Sequence, residues 1–170
     1  MTQVLRAGLL DGVRLMVAGA GPLGDAVAAR AAELGAETIV RGRDVAVDKA
    51  AGDDVDVLVW DGSAAFSSAD GVDAVRAALD GAWDAIEPVR KRPMLILLLA
   101  PPPGDGHAEA ARAGLENLAR TLSIEWARLG IRPVAIHPGT ATPAEEVAEL
   151  SAFLASPAGA YYSGCRFDLH

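Results

Sequence analysis

Gly19, Gly21 and Gly24 form a G-x-G-x-x-G turn that directly follows the apolar run VRLMVA and opens the stretch PLGDAVAARAAELG. Glycines at that spacing permit a tight strand-to-helix turn and a close approach of backbone to phosphate. The helix start then favours the charge of a pyrophosphate. A dinucleotide also needs its adenosine ribose recognised at the end of the second strand, about 20 residues further on. The sequence there reads VRGRD. Arg41 and Arg43 suit the 2′-phosphate of NADP better than the bare ribose of NAD, and Asp44 lies late for a ribose hydroxyl. Close packing of a strand on a helix asks for the same glycines, so cofactor binding and packing stand as equal readings. If a cofactor binds, these arginines fit NADP.

Other residues with chemical potential are scattered. Asp61, at the end of the third apolar run, lies near the expected crevice and either touches a cofactor or binds a neighbouring backbone. His107 opens a helical stretch and is expected to face solvent; His137 belongs to a strand and reads as structural. Tyr161 and Tyr162 precede the last strand and are expected to pack. No group of His, Cys and carboxylates has metal-ligand spacing. The single cysteine, Cys165, excludes an internal disulfide framework and agrees with a cytoplasmic protein. A net charge of −8 argues against nucleic acid as a partner, because phosphate contacts need clustered positive charge.

The elements that must position these residues alternate along the chain. Strands are expected at 13–18, 37–40, 55–60, 94–100, 131–137 and 164–169, and helices at 22–35, 71–91, 107–130 and 142–156. Strand–helix alternation of this kind predicts a Rossmann-like, doubly wound parallel sheet of about six strands. The 170 residues suit one domain, 1–170. The longest apolar stretch, PMLILLLAPPP, is too short to cross a bilayer, and the N-terminus lacks the basic start and apolar run of a secretory signal.

From about residue 9 onward, the order of motifs resembles the short-chain dehydrogenase/reductase family. The resemblance is strongest over ARAGLENLARTLSIEWARLGIRPVAIHPGTATPAEEVAELSAFLASPAGAYYSG. It is similar to the family's active-site helix, the following strand with its Pro-Gly, and the final helix and strand. The resemblance implies carbonyl/alcohol chemistry through a serine, a tyrosine and a lysine, with an asparagine on the preceding helix. In this register Ala108 falls at the tyrosine, Arg112 at the lysine and Ala78 at the asparagine, while Ala100, or the prolines after it, replaces the serine. LVWDGS stands in place of the family's Asn-Asn-Ala-Gly turn.

No proton-handling group of the family remains, and an arginine stays charged where a lysine would titrate. Residues 41 to 54 are too few for the strand and helices the family places there, so one edge strand is expected to be missing and the adenine side eroded. After HPGT the chain passes straight to ATPAEEVAEL, which removes the family's substrate lid.

Two long helices remain, and in the family such helices form a four-helix interface between subunits. Leu115, Leu118, Leu122, Trp126 and Leu129 make a stripe expected to face the sheet. Ala110, Ala113, Gly114, Asn117 and Thr121 lie on other faces, where small residues allow close helix approach; Ala82 and Trp83 could meet the same partner. The resemblance therefore implies a non-catalytic member that assembles with itself or with a full-length active relative. The alternatives are an NADP-dependent reductase using His107, Asp61 or water as its acid, and a dinucleotide-binding sensor.

Overall fold

Strand β4 (Met94–Leu99, MLILLL) is buried along its whole length, which accounts for the absence of any polar side chain in it. A computed structural model describes residues 5–19, 21–42, 54–90 and 92–170. Around β4 the described strands are β1 (Arg14–Ala18), β2 (Glu37–Arg41), β3 (Val57–Asp61), β5 (Ile131–His137) and β6 (Arg166–Asp168). They form one six-stranded sheet in the order β2-β1-β3-β4-β5-β6. Every pairing is parallel. The α/β Rossmann-like class read from the alternation is the observed one.

The two-residue period of the strands sorts the core. Ile96 and Leu98 join Met16, Leu58 and Trp60 on one face of the sheet. Leu95, Leu97 and Leu99 join Val17, Val59 and Ile136 on the other. The first face is covered by α3 (Gly71–Ile86) and α4 (Gly106–Glu125), and the second by α1 (Pro22–Glu33) and α5 (Ala144–Ala155). Each fully buried leucine contributes roughly 1.5–3 kcal/mol.

Three details depart from the sequence reading. A short helix, α2 (Gly62–Phe66), follows β3 without a break, where no helix is expected from the pattern. The stretch 107–130 is not one helix: α4 stops at Glu125 and a 3-10 turn, Ala127–Leu129, leads to Gly130. The helix expected over 71–91 ends at Ile86.

The connections match the shortened plan. Residues 138–143 alone join β5 to α5, so no lid helix stands between them. β2 forms one edge of the sheet. The eroded adenine side concerns residues 43–53, which lie outside the described residues. After leaving β1 the chain builds β2 on one side and returns to build β3 on the other. That reversal opens the crevice, beyond the strand ends, in which doubly wound sheets bind their ligands.

Candidate functional site at the glycine turn

The crevice between the ends of β1 and β3 is where the sequence places a dinucleotide, and the turn has the expected shape. Gly19 has φ +74°, a left-handed conformation that favours glycine, and Gly21 is the extended N-cap of α1. Pro22 follows at the first turn of the helix. All three glycines of the motif are in tight contact with the protein itself. A side-chain carbon on Gly19 would lie 2.8 Å from the Trp60 ring, and one on Gly21 would lie 2.3 Å from Cβ of Ala64 in α2. On Gly24 it would lie 2.7 Å from Val17 and 3.2 Å from Oδ2 of Asp61. Of the two readings of these glycines, the packing one has a contact for each.

Asp61, the last residue of β3, is completely buried. Its Oδ2 accepts the Gly24 amide at 2.8 Å, and its Oδ1 accepts the Ala64 amide at 2.9 Å. One carboxyl group thus caps the first turns of both α1 and α2. Burial pushes this carboxyl above the usual carboxylate value; the amides of Ala64, Gly24 and Ser63 act in the opposite direction, favouring the anion. Asp61 therefore binds neighbouring backbone, one of the two roles open to it from sequence.

The helix start offers few free groups on this side of the turn. Pro22 has no amide hydrogen, the Gly24 amide is already bonded, and α2 lies against Gly21. The ribose end differs. Arg41 closes β2 half-buried, and its Nε is buried with no hydrogen-bond partner among the described residues. Arg43 lies outside the described residues.

The residues that the resemblance sets at the family's catalytic positions each have a structural place. Ala78 is buried on α3, and its carbonyl accepts the Trp60 indole N–H at 2.9 Å. Ala100 is buried at the end of β4, its amide donating to the Ile136 carbonyl at 2.9 Å. Ala108 and Arg112 lie one turn apart on α4, both turned inward. The Arg112 guanidinium donates to the carbonyls of Pro101, at 2.7 Å, and Pro138, at 2.9 Å. Through this one nitrogen, Nη1, it fastens the loop after β4 to the loop after β5.

A cleft of about 360 Å³ opens beside these residues, between the α2–α3 turn and the loop Pro101–Asp105. Ala108 and His107 both line it. His107 is solvent-facing as expected, with its side chain 48% exposed, but it does not leave the cleft altogether. Its Nδ1 lies 3.4 Å from Oδ2 of Asp105, the residue that caps α4.

His137 differs from the satisfied residue expected. It is buried, its Nε2 has no hydrogen-bond partner among the described residues, and Nδ1 is 3.8 Å from Asp168. Burial, reinforced by Arg112 and Arg166, lowers its pKa to about 4. Among the described residues no cluster of His, Cys, Asp and Glu could hold a metal, and no helix is long and apolar enough to cross a membrane.

The outward faces of α3 and α4 form a separate surface. Leu115, Leu122 and Trp126 point into the core as expected, with Leu118 half-buried beside them. Leu129 departs from the stripe, 38% exposed in the 3-10 turn, because the α-helical period has ended before it. Ala110, Ala113, Asn117 and Thr121 are exposed along α4, while Gly114 is half-buried against Leu79 of α3. Val72 and Trp83 on α3 and Ile124 on α4 are exposed large apolar side chains, and Trp83 leans on Trp126 at 6.0 Å between ring centroids. Ala82, expected beside Trp83, is instead buried in the core. Of the two tyrosines, Tyr162 packs between Phe153 and Phe167, whereas Tyr161 is 93% exposed.

No protein-family model matches the chain. Solved structures do. The citronellol catabolism dehydrogenase AtuB of Pseudomonas aeruginosa PAO1 is 25% identical, with a TM-score of 0.78 over 98% of this chain and 96% of that one. A short chain dehydrogenase from Mycobacterium smegmatis gives 0.78 at 20% identity, over 100% of this chain and 96% of that one. BdcA, an E. coli protein, in complex with NADPH gives 0.73 at 18% identity, over 95% of this chain and 94% of that one. From the glycine turn to the final strand, the fold of this chain is that of the short-chain dehydrogenases/reductases, in shortened form.

Proposed function

We propose that this chain is a non-catalytic relative of the short-chain reductases that works as a structural or regulatory subunit. It pairs through α3 and α4 with a second copy of itself or with a full-length active reductase. The observation that carries the reading is the outer surface of those helices. On α4 the small residues Ala110 and Ala113 are exposed, and on the same two helices Val72, Trp83 and Ile124 are exposed apolar side chains. Small residues let helices approach closely, and exposed aromatic and branched side chains supply apolar area to bury on contact. The occupants of the family's catalytic positions support the same reading. Methyl groups at Ala78, Ala100 and Ala108 transfer no proton, and the Arg112 guanidinium stays charged and is engaged with two carbonyls.

The test is affinity purification of the tagged protein from its own cells, followed by mass spectrometry of the intact complex. The reading expects a stoichiometric assembly, either of copies of this chain or with a reductase that carries the Ser, Tyr and Lys missing here. A single unaccompanied chain counts against it.

Two observations favour a second reading, an NADP-dependent oxidoreductase with a non-standard acid, or a nucleotide sensor without turnover. Arg41 has an unpartnered Nε at the place suited to a 2′-phosphate, and His107 lines the same cleft as Ala108. The NADPH complex of BdcA, similar in fold, points the same way. Reduction of any carbonyl compound by the purified chain with NADPH would establish the enzyme, and NADPH binding without turnover the sensor.

A further inference from the structure

Asp61 does more at the glycine turn than fill space. The general use of such a turn is to offer helix-start amides to a pyrophosphate, with the middle glycine left bare so that the phosphates can come close. Here the amide of Gly24 is bonded to Asp61, and the bare side of Gly21 faces α2: a carbon there would lie 2.3 Å from Ala64 Cβ and 3.1 Å from Asp61 Oδ2. Pro22 removes a further amide from the first turn. Asp25 adds an acidic side chain to that turn, and it too disfavours a second anion.

We propose that Asp61 and α2 close the turn against dinucleotides, with the carboxyl group taking the helix-start amide that a pyrophosphate would otherwise take. The fold's nucleotide seat has become an internal joint that ties α1, β3 and α2 together. Like charges at contact distance oppose one another, so a dinucleotide entering here must displace both the carboxylate and the helix it caps. The inference is independent of pairing through α3 and α4, since those surfaces lie on helices that do not bear the turn.

Titration of NADPH against the whole chain, followed by calorimetry, tests it with wild type, Asp61→Asn, and Asp61→Ser combined with Ala64→Gly. Wild type is expected to show no saturable binding tighter than about 1 mM. The double variant, which removes both the charge and the methyl group facing Gly21, is expected to gain at least about tenfold in affinity, with Asp61→Asn between the two. Micromolar binding by wild type, or a folded double variant that binds no better than wild type, overturns the proposal. Should the double variant not fold, the Gly24 and Ala64 amide resonances of wild type decide: they stay in place on adding NADPH if the turn is closed, and their movement overturns it. Binding by wild type would remove this inference and leave the pairing proposal untouched.

Discussion

Asp61 and Gly24 are separated by 37 positions in sequence and joined by a 2.8 Å hydrogen bond, from the Gly24 amide to the Asp61 carboxyl, across the mouth of the crevice. The same side chain accepts the Ala64 amide, so one residue sets the start of two helices. Replacing it with alanine removes the carboxyl group that both amides donate to. Asp61→Ala is expected to lower unfolding stability by about 2–4 kcal/mol, and Asp61→Asn, which keeps one acceptor oxygen, by less. Urea denaturation followed by circular dichroism measures both. Equal midpoints for wild type and Asp61→Ala would show that the joint contributes nothing.

Arg112 holds two loops by their carbonyls. Arg112→Met keeps the aliphatic stem and removes the donors, and should cost about 1–3 kcal/mol. Arg112→Lys keeps a charged donor nitrogen on a stem one bond shorter than the reach to Nη1 and should recover only part of that. Full recovery by lysine in the same urea experiment would mean that the reach of the arginine is not needed at this position.

His137 makes stability depend on pH with a defined sign. Its pKa in the folded chain is about 4, below the ordinary value of about 6.5 expected when unfolded. Below pH 6.5 the unfolded chain takes up a proton that the folded chain refuses until about pH 4. The histidine's contribution is therefore complete above about pH 6.5 and is lost as pH falls to about 4, by up to about 3 kcal/mol. His137→Phe should flatten the denaturation midpoint over that window. An unchanged pH profile in His137→Phe would assign the acid sensitivity to other groups.

Ala113 lies on the exposed side of α4, in the middle of the proposed contact. Ala113→Arg puts a bulky charge where helices must approach closely and leaves the core untouched. It should abolish assembly while changing the unfolding free energy of the separated protomer by no more than about 0.5 kcal/mol. Light scattering after gel filtration reads the assembly, and a variant that still assembles would move the contact elsewhere on the chain.

Much of the fold is legible in the sequence because burial writes it in periodic form. MLILLL has no alternation because both faces of β4 are covered, and Leu115, Leu122 and Trp126 recur at helical spacing because one face of α4 meets the sheet. Helix α2 is missed because GSAAF is too short to show a period and rests on a cap supplied by the preceding strand. Leu129 follows the helical count in sequence, but the chain changes to a 3-10 turn before reaching it.

The site is less legible, because its defining bonds are between residues far apart in the chain. Nothing local to Asp61 indicates that its partner is the third glycine of the turn, and nothing in ARAGLENL indicates that Arg112 reaches the carbonyls of Pro101 and Pro138. The glycine motif has the same appearance whether a phosphate or Ala64 faces it; only the packing distinguishes the two. Tyr161 shows the same limit at the surface, since proximity to the aromatic cluster in sequence does not bring it into that cluster.

The mass of the intact assembly recovered with the tagged chain from its own cells, compared with that recovered with Ala113→Arg, tests the pairing most directly. Pairing through α3 and α4 predicts a defined oligomer, of this chain alone or with a full-length reductase, that falls apart in the variant. A wild-type chain recovered as a lone protomer would contradict it.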